Sequence, residues 1–281
     1  LGANYWKTVA GRGLHHLSDV YQSFLICPDD DAPLEVDPGR ADDFVCPACK
    51  RSYAFRDDHL SALPGKDIYA ASAERRKALD ESARLACVSG HHGAPGLPDA
   101  WNLVEARLPN LTGKRVLDLC CGSGWGAVWF ARQGAQVAAV DIVTGEGGLG
   151  TAITRADECR QSIDFFQVDA CRLPFAAETF DVVFASAAIH VLPRPERMMM
   201  EAFRILRADG VMVNIGEPIH RGGFSPGPGG RDPRIEGRGL ALGDYMAIYQ
   251  EAGFHVEAVS TDESASNSGV AGPLRRMMSR S

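Results

Sequence analysis

A glycine-rich turn and a carboxylate 19 residues beyond it are the residues of this sequence best suited to bind a small ligand. Gly122, Ser123 and Gly124 lie between an apolar segment and an amphipathic one, as in a turn from a strand into a helix. Such a turn directs backbone N–H groups and the positive end of the helix at an anionic ligand group. Asp141 ends the next apolar segment, where a carboxylate can accept hydrogen bonds from both ribose hydroxyls of an adenosine-bearing cofactor.

Three cysteines and an aspartate near the N-terminus have the spacing of a metal site. Cys27 and Asp30 belong to one short turn, and Cys46 and Cys49 to another, as in the two knuckles of a zinc ribbon. Asp30 stands where a second cysteine would complete the first knuckle. Because zinc accepts carboxylate oxygen, the spacing predicts a zinc site with these four ligands, with His59 as an alternative fourth ligand. The other interpretation is a ribbon that has lost its metal and kept its small β-core.

Alternating apolar and amphipathic segments must position these residues. Strands are expected at 115–119, 136–140, 164–168, 181–185, 211–215 and 254–259. Helices are expected at 126–133, 151–160, 196–207 and 241–252. This alternation requires a parallel sheet with right-handed crossovers. We therefore expect an α/β fold, a three-layer sandwich with a mostly parallel, doubly wound sheet.

Differences in composition divide the chain into four parts. Residues 20–60 hold short apolar pieces and three cysteines, which is typical of a small zinc-ribbon-like module. Residues 61–112 are expected to form a helical connector, and residues 113–260 the sandwich. Within the sandwich, the stretch 221–240 is rich in Gly, Pro and Arg and predicts a mobile lid. The Ser-rich tail 261–281 shows no seventh strand, so we expect it to be flexible.

Charge and cysteine content indicate which partners and which cellular compartment the protein has. The 281 residues carry a formal net charge of −7, which argues against a surface built to hold nucleic-acid phosphates. No stretch approaches the roughly 20 apolar residues of a membrane span. The eight cysteines do not have the pattern of a disulfide framework. We expect a cytoplasmic protein with reduced thiols and no membrane segment.

The form of the glycine turn decides between dinucleotides and S-adenosylmethionine, the two kinds of cofactor that share this geometry. The turn lacks the third glycine spacing of G-x-G-x-x-G, which dinucleotide sites use. Instead, Val116-Leu117-Asp118-Leu119-Cys120-Cys121-Gly122-Ser123-Gly124 resembles the first motif of class I methyltransferases, of the type 11 kind. The resemblance continues in order through 166–175, 179–186 and 201–210. It implies an enzyme that transfers a methyl group from S-adenosylmethionine.

The resemblance also implies which residues bind the cofactor. They are Asp118, Cys120, Gly122, Ser123, Gly124, Asp141, Ile142, Asp169, Ala170 and Ser186. By the same resemblance, Asp169 accepts a hydrogen bond from the adenine amino group. Cys120 departs from the family, which usually has glycine there. Two of the residues have simpler alternatives, since Asp118 could bind the amides of the following helix and Asp141 could be a solvated carboxylate.

The N-terminal module has its own resemblance. Residues 25–53 are similar to the zinc-ribbon domain that precedes the catalytic domain in some methyltransferases, including the ribosomal RNA guanine-N1 enzymes. They are also similar to the stand-alone ribbon that activates tRNA and protein methyltransferases. The resemblance implies that the module covers one side of the acceptor site or supports stability.

The acceptor side offers a candidate catalytic base. His190 follows the fourth strand, where the acceptor pocket of the family begins, and a neutral imidazole near pH 7 suits proton abstraction. A histidine at this position can also pack against the cofactor edge. Glu217 and His220, beyond the fifth strand, are the next candidates.

Three functions remain open from the sequence. A methyltransferase acting on an O, N or C atom of a small molecule fits the acidic charge and the expected lid. An RNA base methyltransferase, guanine-N1-like, fits the ribbon and the basic residues within 74–77. A non-catalytic cofactor-binding partner would keep the glycine turn and lose the acceptor pocket. We favour the small-molecule acceptor.

Overall fold

The computed structural model describes residues 7–9, 12–14, 17–64, 104–192, 194–220, 240–261 and 270–280. The elements before residue 65 are β1 (Lys7–Val9), β2 (Arg12–Leu14), α1 (Asp19–Gln22), β3 (Glu35–Asp37), β4 (Arg40–Val45), β5 (Ser52–Tyr53), β6 (Phe55–Arg56) and β7 (His59–Ser61). Strands β3, β4 and β5 form a small antiparallel sheet. The turn between β4 and β5 carries Cys46 and Cys49, so this sheet supports half of the cysteine cluster.

The later elements alternate as the sequence predicts. They are β8 (Arg115–Leu119), α2 (Trp125–Arg132), β9 (Gln136–Asp141), α3 (Leu149–Glu158), β10 (Asp164–Gln167), β11 (Phe180–Ser186), α4 (Pro195–Ile205), β12 (Leu206–His220), α5 (Leu242–Glu251), β13 (Phe254–Thr261) and β14 (Val270–Arg280). Helix α4 illustrates how the sequence specifies these helices. Pro195 occupies its first turn, and Met198, Ala202 and Ile205 form one buried apolar stripe along it.

Nine of the described strands form one sheet in the order β13-β14-β12-β11-β8-β9-β10-β7-β6. Strands β8 to β12 run parallel to one another. Their carboxyl ends therefore meet at one edge of the sheet, where ligands bind in open α/β folds. We call this edge the carboxyl edge.

The expectation of a tail without a seventh strand is wrong. Residues 270–280 form β14, which runs antiparallel between β12 and β13 and pairs with both. A strand paired on both sides satisfies its backbone N–H and C=O groups without needing a regular apolar pattern. Pro273 and two arginines interrupt that pattern in β14, which is why the sequence did not reveal it.

Alternating strand residues build two cores, one on each face of the sheet. Leu117, Val140 and Val183 face one core, which also takes in side chains of α4 and α5. Their neighbours Val116 and Val137 face the other core, which takes in side chains of α2 and α3. This period of two is what a strand buried on both faces requires. The predicted three-layer α/β sandwich is therefore confirmed.

The N-terminal module is built onto the sandwich. Strand β7 pairs in parallel with β10 and so extends the main sheet. The side chains of Tyr21, Leu25 and Phe44 belong to the same core as α4 and α5, and the hydroxyl of Tyr21 donates to the carbonyl of Gln136 at 2.7 Å. The module predicted at 20–60 thus shares both sheet and core with the rest of the chain.

Several sequence predictions fall outside the described residues. These are most of the helical connector at 61–112, the basic residues at 74–77 and all but the last residue of the lid at 221–240. Residues 104–107, at the end of the connector, are helical. Among the residues that the structure describes, no helix has the length and apolar character to cross a membrane.

Candidate cofactor site and metal site

The turn between β8 and α2 has a left-handed backbone at three positions. Cys120, Gly122 and Gly124 have φ angles of 59°, 50° and 76°. Glycine adopts this region freely, whereas a Cβ atom there crowds the following carbonyl oxygen. The turn thus explains why glycine is usual at position 120 of the family. Cysteine takes the same conformation at a cost of about 1 kcal/mol.

Two glycines of this segment also allow close packing. A Cβ atom on Gly124 would lie 2.7 Å from Cβ of Ala152 on α3, and one on Gly126 would lie 2.6 Å from Cε1 of Phe184 on β11. Both distances are below van der Waals contact, so a side chain at either position would push α2 away. Packing therefore explains part of the glycine pattern, and it brings the N-terminus of α2 close to the strand ends.

Asp118 lies beneath the turn, with 3% of its surface exposed. Its Oδ2 accepts a hydrogen bond from the N–H of Ala127 at 2.6 Å. Burial raises the pKa of this carboxyl to about 7, although the hydrogen bond from Ala127 acts in the opposite direction. Asp118 thus binds an amide of the following helix, the simpler of its two predicted roles, and holds α2 against β8.

Asp141 ties the end of β9 to the glycine turn. Its Oδ2 accepts from the N–H of Gly122 at 2.8 Å, and its Oδ1 accepts from the N–H of Val143 at 2.9 Å. Desolvation raises the pKa of this carboxyl, against the effect of the amides of Val143, Gly122 and Ile142. Each oxygen keeps a second lone pair for a ligand hydroxyl. The half-buried carboxylate is therefore engaged with the turn.

Main-chain hydrogen bonds join three neighbouring strand ends. The N–H of Cys121 donates to the carbonyl of Val140 at 2.9 Å, and the N–H of Val168 donates to the carbonyl of Asp141 at 3.0 Å. Next to this junction, the side chain of Ile142 is 36% exposed, one of the few large apolar side chains on the described surface. Main-chain hydrogen bonds therefore join the ends of β8, β9 and β10, and the partly exposed Ile142 lies beside them.

The ten residues expected to bind the cofactor all lie at the carboxyl edge, in the last residues of β8, β9 and β11 or in the segments that follow β8, β9 and β10. Asp169 and Ala170 follow β10, and the Oδ1 of Asp169 accepts from the N–H of Cys171 at 2.8 Å. Ser186 ends β11, and its Oγ is buried without a hydrogen-bond partner among the described residues. A buried hydroxyl that lacks a partner inside the protein is a natural contact for a polar ligand.

His190 and Glu217 were separate candidates in the sequence, and the structure brings them together. The Nδ1 of His190 lies 2.9 Å from Oε2 of Glu217. His190 belongs to a 3₁₀ turn, Ile189–Val191, directly after β11, and its side chain is 12% exposed. A β-bulge in β12 places Glu217, because the pairing of β12 with β14 shifts register on both sides of this residue.

The Glu217 carboxylate is buried and surrounded by donors. Its Oε1 accepts from the N–H groups of Ala188 and Ile189 at 2.7 and 2.8 Å. The hydroxyl of Tyr245 lies 3.3 Å from Oε2. Burial acts to raise the pKa of Glu217, but the bonds from His190 and the amides outweigh it and leave the pKa below its ordinary value. Glu217 is therefore an ionised acceptor that fixes the orientation of the His190 ring through Nδ1.

Tyr245 was missed in the sequence, since a buried tyrosine on an amphipathic helix carries no local sign of its partner. It joins Glu217 from α5, 28 residues further along the chain. His220, the other candidate, ends β12, and its side chain lies outside the described part of the structure.

The cysteine cluster forms as predicted. The ligand atoms of Cys27, Asp30, Cys46 and Cys49 all lie within 4.8 Å of one another. The Sγ atoms of Cys27 and Cys49 are 3.7 Å apart, and the Sγ of Cys46 lies 3.4 Å from each carboxylate oxygen of Asp30. A tetrahedral zinc ion with Zn–S of about 2.3 Å and Zn–O of about 2.0 Å has S–S edges of about 3.8 Å and S–O edges of about 3.5 Å. The donor set and its spacing therefore fit zinc.

The two knuckles share one backbone geometry. In the first, the N–H of Asp31 donates to the carbonyl of Cys27 at 2.9 Å, and in the second, the N–H of Lys50 donates to the carbonyl of Cys46 at the same distance. Asp31 and Lys50 have φ angles of 62° and 64°. Because the turns match residue by residue, the first turn places Asp30 where the second places a cysteine.

The alternative fourth ligand does not join this cluster. His59 starts β7, and its Nδ1 lies 3.1 Å from the carbonyl oxygen of Asp57. It is not one of the four residues whose donor atoms converge. Within the described residues, Asp30 is the fourth donor that the structure supports.

The sheet, the glycine turn and the acidic strand ends together are those of the class I, S-adenosylmethionine-dependent methyltransferase fold. Residues 117–214 match a family model described as a methyltransferase domain. This range runs from β8 into β12 and holds the glycine turn, Asp141, Asp169 and Ser186. Residues 117–214 are therefore a class I methyltransferase domain, as the sequence predicts.

Curated relatives carry methyltransferase names. An uncharacterized chloroplastic methyltransferase of Arabidopsis thaliana is 27% identical over 189 residues, which cover 60% of this chain and 52% of the relative. A demethylmenaquinone methyltransferase of Clavibacter sepedonicus is 29% identical, over 55% of this chain and 59% of the relative. The methyltransferase GfsG of Streptomyces halstedii is 31% identical, over 41% and 42%. The chain spans about half the length of these relatives.

Solved structures share the fold at low sequence identity. The [4+2]-cyclase SpnF has a TM-score of 0.54 and 20% identity, covering 64% of this chain and 79% of its own. Phosphoethanolamine N-methyltransferase 2 of Haemonchus contortus, in complex with S-adenosyl-L-methionine, has a TM-score of 0.53 and 19% identity, covering 65% of this chain and 52% of its own. At this identity the likeness establishes the fold, and the reaction must be argued from the site.

Proposed function

We propose that this protein transfers a methyl group from S-adenosylmethionine to an O, N or C atom of a small molecule. The observation that carries the proposal is the His190–Glu217 pair, a base with an oriented partner, placed after β11 on the carboxyl edge that also holds the glycine turn.

The residues present fit S-adenosylmethionine. In the 122–124 turn, the N–H groups of Gly122 and Gly124 already donate to Asp141 and to the carbonyl of Cys121, so the N–H of Ser123 is the one that can donate to the cofactor carboxylate. The free lone pairs of Asp141 can accept from the ribose hydroxyls. The exposed side chain of Ile142 can cover one face of the adenine ring. The buried Oγ of Ser186 gains a partner when a polar ligand group lies beside β11. Asp118 acts indirectly, by holding α2 in place.

The reaction divides its work between the cofactor and the chain. When bound, S-adenosylmethionine supplies an electrophilic methyl group on a sulfonium sulfur. The chain would bind the acceptor beside the cofactor at the carboxyl edge, where His190 and Glu217 lie. Where the acceptor carries a proton, Nε2 of His190 takes it, and Glu217 stabilises the resulting imidazolium from the Nδ1 side.

A small-molecule acceptor is supported by the relatives and by charge. Demethylmenaquinone methyltransferase is named for a small molecule, and the net charge of −7 is unfavourable for binding along RNA.

The test is the fate of a labelled methyl group. The purified protein is incubated with methyl-labelled S-adenosylmethionine and, in parallel, with RNA, protein and small-metabolite fractions. We expect label in the small-metabolite fraction. Label in RNA alone, falling steeply with added salt, would replace our proposal with the RNA base methyltransferase. Cofactor binding without transfer to any fraction would support the non-catalytic partner.

We further propose that Cys27, Asp30, Cys46 and Cys49 hold a structural zinc ion. All four positions are protein donors, so the site is closed in the way that structural zinc sites are. Metal analysis of the purified protein should give about one zinc per chain. Protein that folds fully with no bound metal would support the ribbon that has lost its metal.

A further inference from the structure

The side chain of Arg172, in the 169–176 segment that follows β10, binds the first knuckle. Its Nε donates to the carbonyl of Pro28 at 2.5 Å, and its Nη2 lies 3.0 Å from Oδ1 of Asp31. Pro28 directly follows the donor Cys27, and Asp31 directly follows the donor Asp30. One guanidinium therefore holds the knuckle on both sides of the metal-binding atoms.

Arg172 also belongs to the turn that follows β10. Its own N–H donates to the carbonyl of Asp169 at 2.8 Å, and the N–H of Cys171 donates to the Oδ1 of Asp169 at 2.8 Å. The backbone of residues 169–172 thus forms a small closed turn that sets the position of Asp169. The residue predicted to meet adenine and the residue that grips the knuckle are three positions apart.

Backbone pairing extends this contact. The N–H of Ile26 donates to the carbonyl of Pro174 at 3.0 Å, and the N–H of Ala176 donates to the carbonyl of Phe24 at 2.8 Å. The knuckle side chain of Cys27 and the segment side chains of Leu173 and Phe175 lie in one apolar core. Residues 24–31 and 169–176 therefore form one packed unit, with the metal donors at one end and the cofactor contacts at the other.

We propose that Arg172 is a positioning residue that couples metal binding at the knuckles to cofactor binding at the 169–176 segment. The proposal rests on the S-adenosylmethionine site described above. A bound metal fixes the carbonyl of Pro28 and the carboxylate of Asp31 by closing the knuckle between them. Through its hydrogen bonds to the knuckle, Arg172 then restrains the turn that carries Asp169. Because the 169–176 segment is already ordered, the protein loses less conformational entropy when the cofactor binds.

Coupling of this kind is reciprocal. If zinc strengthens cofactor binding by a given factor, the cofactor must strengthen zinc binding by the same factor. Coupling free energies between two sites commonly correspond to factors of about 5 to 150. Since the Arg172–Asp31 pair is partly exposed to solvent, we expect a factor near the lower end.

Arg51 offers a matched control for Arg172. It binds Asp29 of the same knuckle at 2.8 Å, and its side chain is 33% exposed against 31% for Arg172. Among the described residues, its guanidinium contacts Asp29 and the ring of Tyr53, whereas Arg172 itself belongs to residues 169–176. Arg172→Ala and Arg51→Ala each remove one arginine side chain that binds the first knuckle. Arg172→Lys keeps the positive charge but loses the forked geometry of the guanidinium.

The experiment measures S-adenosylhomocysteine affinity by calorimetry for the wild type and the three variants, each with zinc bound and after chelation. In the wild type we expect chelation to raise Kd about fivefold or more. In zinc-loaded Arg172→Ala, Kd should already be raised by a similar factor and should respond less than twofold to chelation. Arg51→Ala should behave as the wild type, and Arg172→Lys should fall between the two. The d–d absorption of cobalt-substituted protein reports the metal site without any turnover.

The possible results separate a failure of the coupling from a failure of the proposed function. Equal Kd values for zinc-loaded Arg172→Ala and Arg51→Ala, with unchanged cobalt spectra, would overturn the coupling even if zinc-free protein fails to fold. A wild type that binds S-adenosylhomocysteine tightly and ignores zinc would overturn the coupling alone. A zinc-loaded wild type that does not bind S-adenosylhomocysteine would overturn the proposed function, and the coupling with it.

Discussion

The cofactor turn and the metal knuckles each carry one residue that departs from the family pattern, and they tolerate it in different ways. At the turn, Cys120 replaces glycine and keeps the left-handed backbone, with φ of 59°. At the first knuckle, Asp30 replaces cysteine and places an oxygen where the second knuckle places a sulfur. The turn depends on its backbone conformation, so a side chain at position 120 costs only strain. The knuckle binds through side chains, so the donor itself matters.

The largest effect is expected at the knuckles, where a ligand atom is lost outright. Cys46→Ser should weaken zinc binding by more than about 100-fold, which exceeds the cost of losing a residue that merely supports a ligand. Asp30→Cys should retain zinc, because it restores the usual set of four thiolates. Competition with a chelator measures both affinities. Equal zinc affinity in Cys46→Ser and the wild type would show that the cluster is not the metal site.

The next effect is expected at Asp141, which serves both the turn and the ligand. Asp141→Ala should weaken S-adenosylhomocysteine binding by about 10-fold to 100-fold, since it removes charge-assisted hydrogen bonds worth about 1.5–3 kcal/mol. Asp141→Asn keeps one carbonyl oxygen for the amide of Gly122 and should lose less. Calorimetry gives both affinities. A fully unchanged Kd in Asp141→Ala would contradict the assignment of the ribose contact.

A third effect, on stability, tests the support under the turn. The folded protein holds the proton of Asp118 more tightly than the unfolded chain does, because burial raises its pKa from the ordinary 3.8 to about 7. This contribution to stability is complete below pH 3.8 and is lost as the pH rises through 7. Between pH 5 and pH 7 the free energy of unfolding should fall by about 2 kcal/mol more in the wild type than in Asp118→Asn.

Urea unfolding at several pH values measures that difference. Asp118→Asn is the matched control for the wild type, since asparagine does not titrate but keeps an oxygen for the amide of Ala127. Parallel pH profiles for the two proteins would mean that Asp118 is ionised throughout. In that case the carboxylate would be available to a cationic group of the ligand.

The smallest effect is expected at Cys120. Cys120→Gly relieves the left-handed strain and Cys120→Ala retains it, while both remove the sulfur atom. The glycine variant should be the more stable of the two by about 1 kcal/mol. Thermal unfolding of the pair tests this order. An alanine variant that is more stable than the glycine variant would show that the turn does not need positive φ at this position.

The sequence predicted the parts of the molecule that local patterns encode. The strand and helix order, the glycine turn and the two cysteine knuckles each follow from residues within about ten positions of one another. The pairing of His190 with Glu217 spans 27 residues and depends on a bulge in β12, so the sequence could name both residues without joining them. Strand β14 and the grip of Arg172 on Pro28 depend on contacts distant in sequence, which periodicity does not report.

The most direct test of the central claim is methyl transfer by His190→Asn beside the wild type, with the small-metabolite fraction as acceptor pool. Asparagine removes the base while leaving the cofactor turn untouched. We predict an unchanged Kd for S-adenosylhomocysteine and a transfer rate at least about 100-fold lower, the usual contribution of a general base. Equal transfer rates for the two proteins would contradict it.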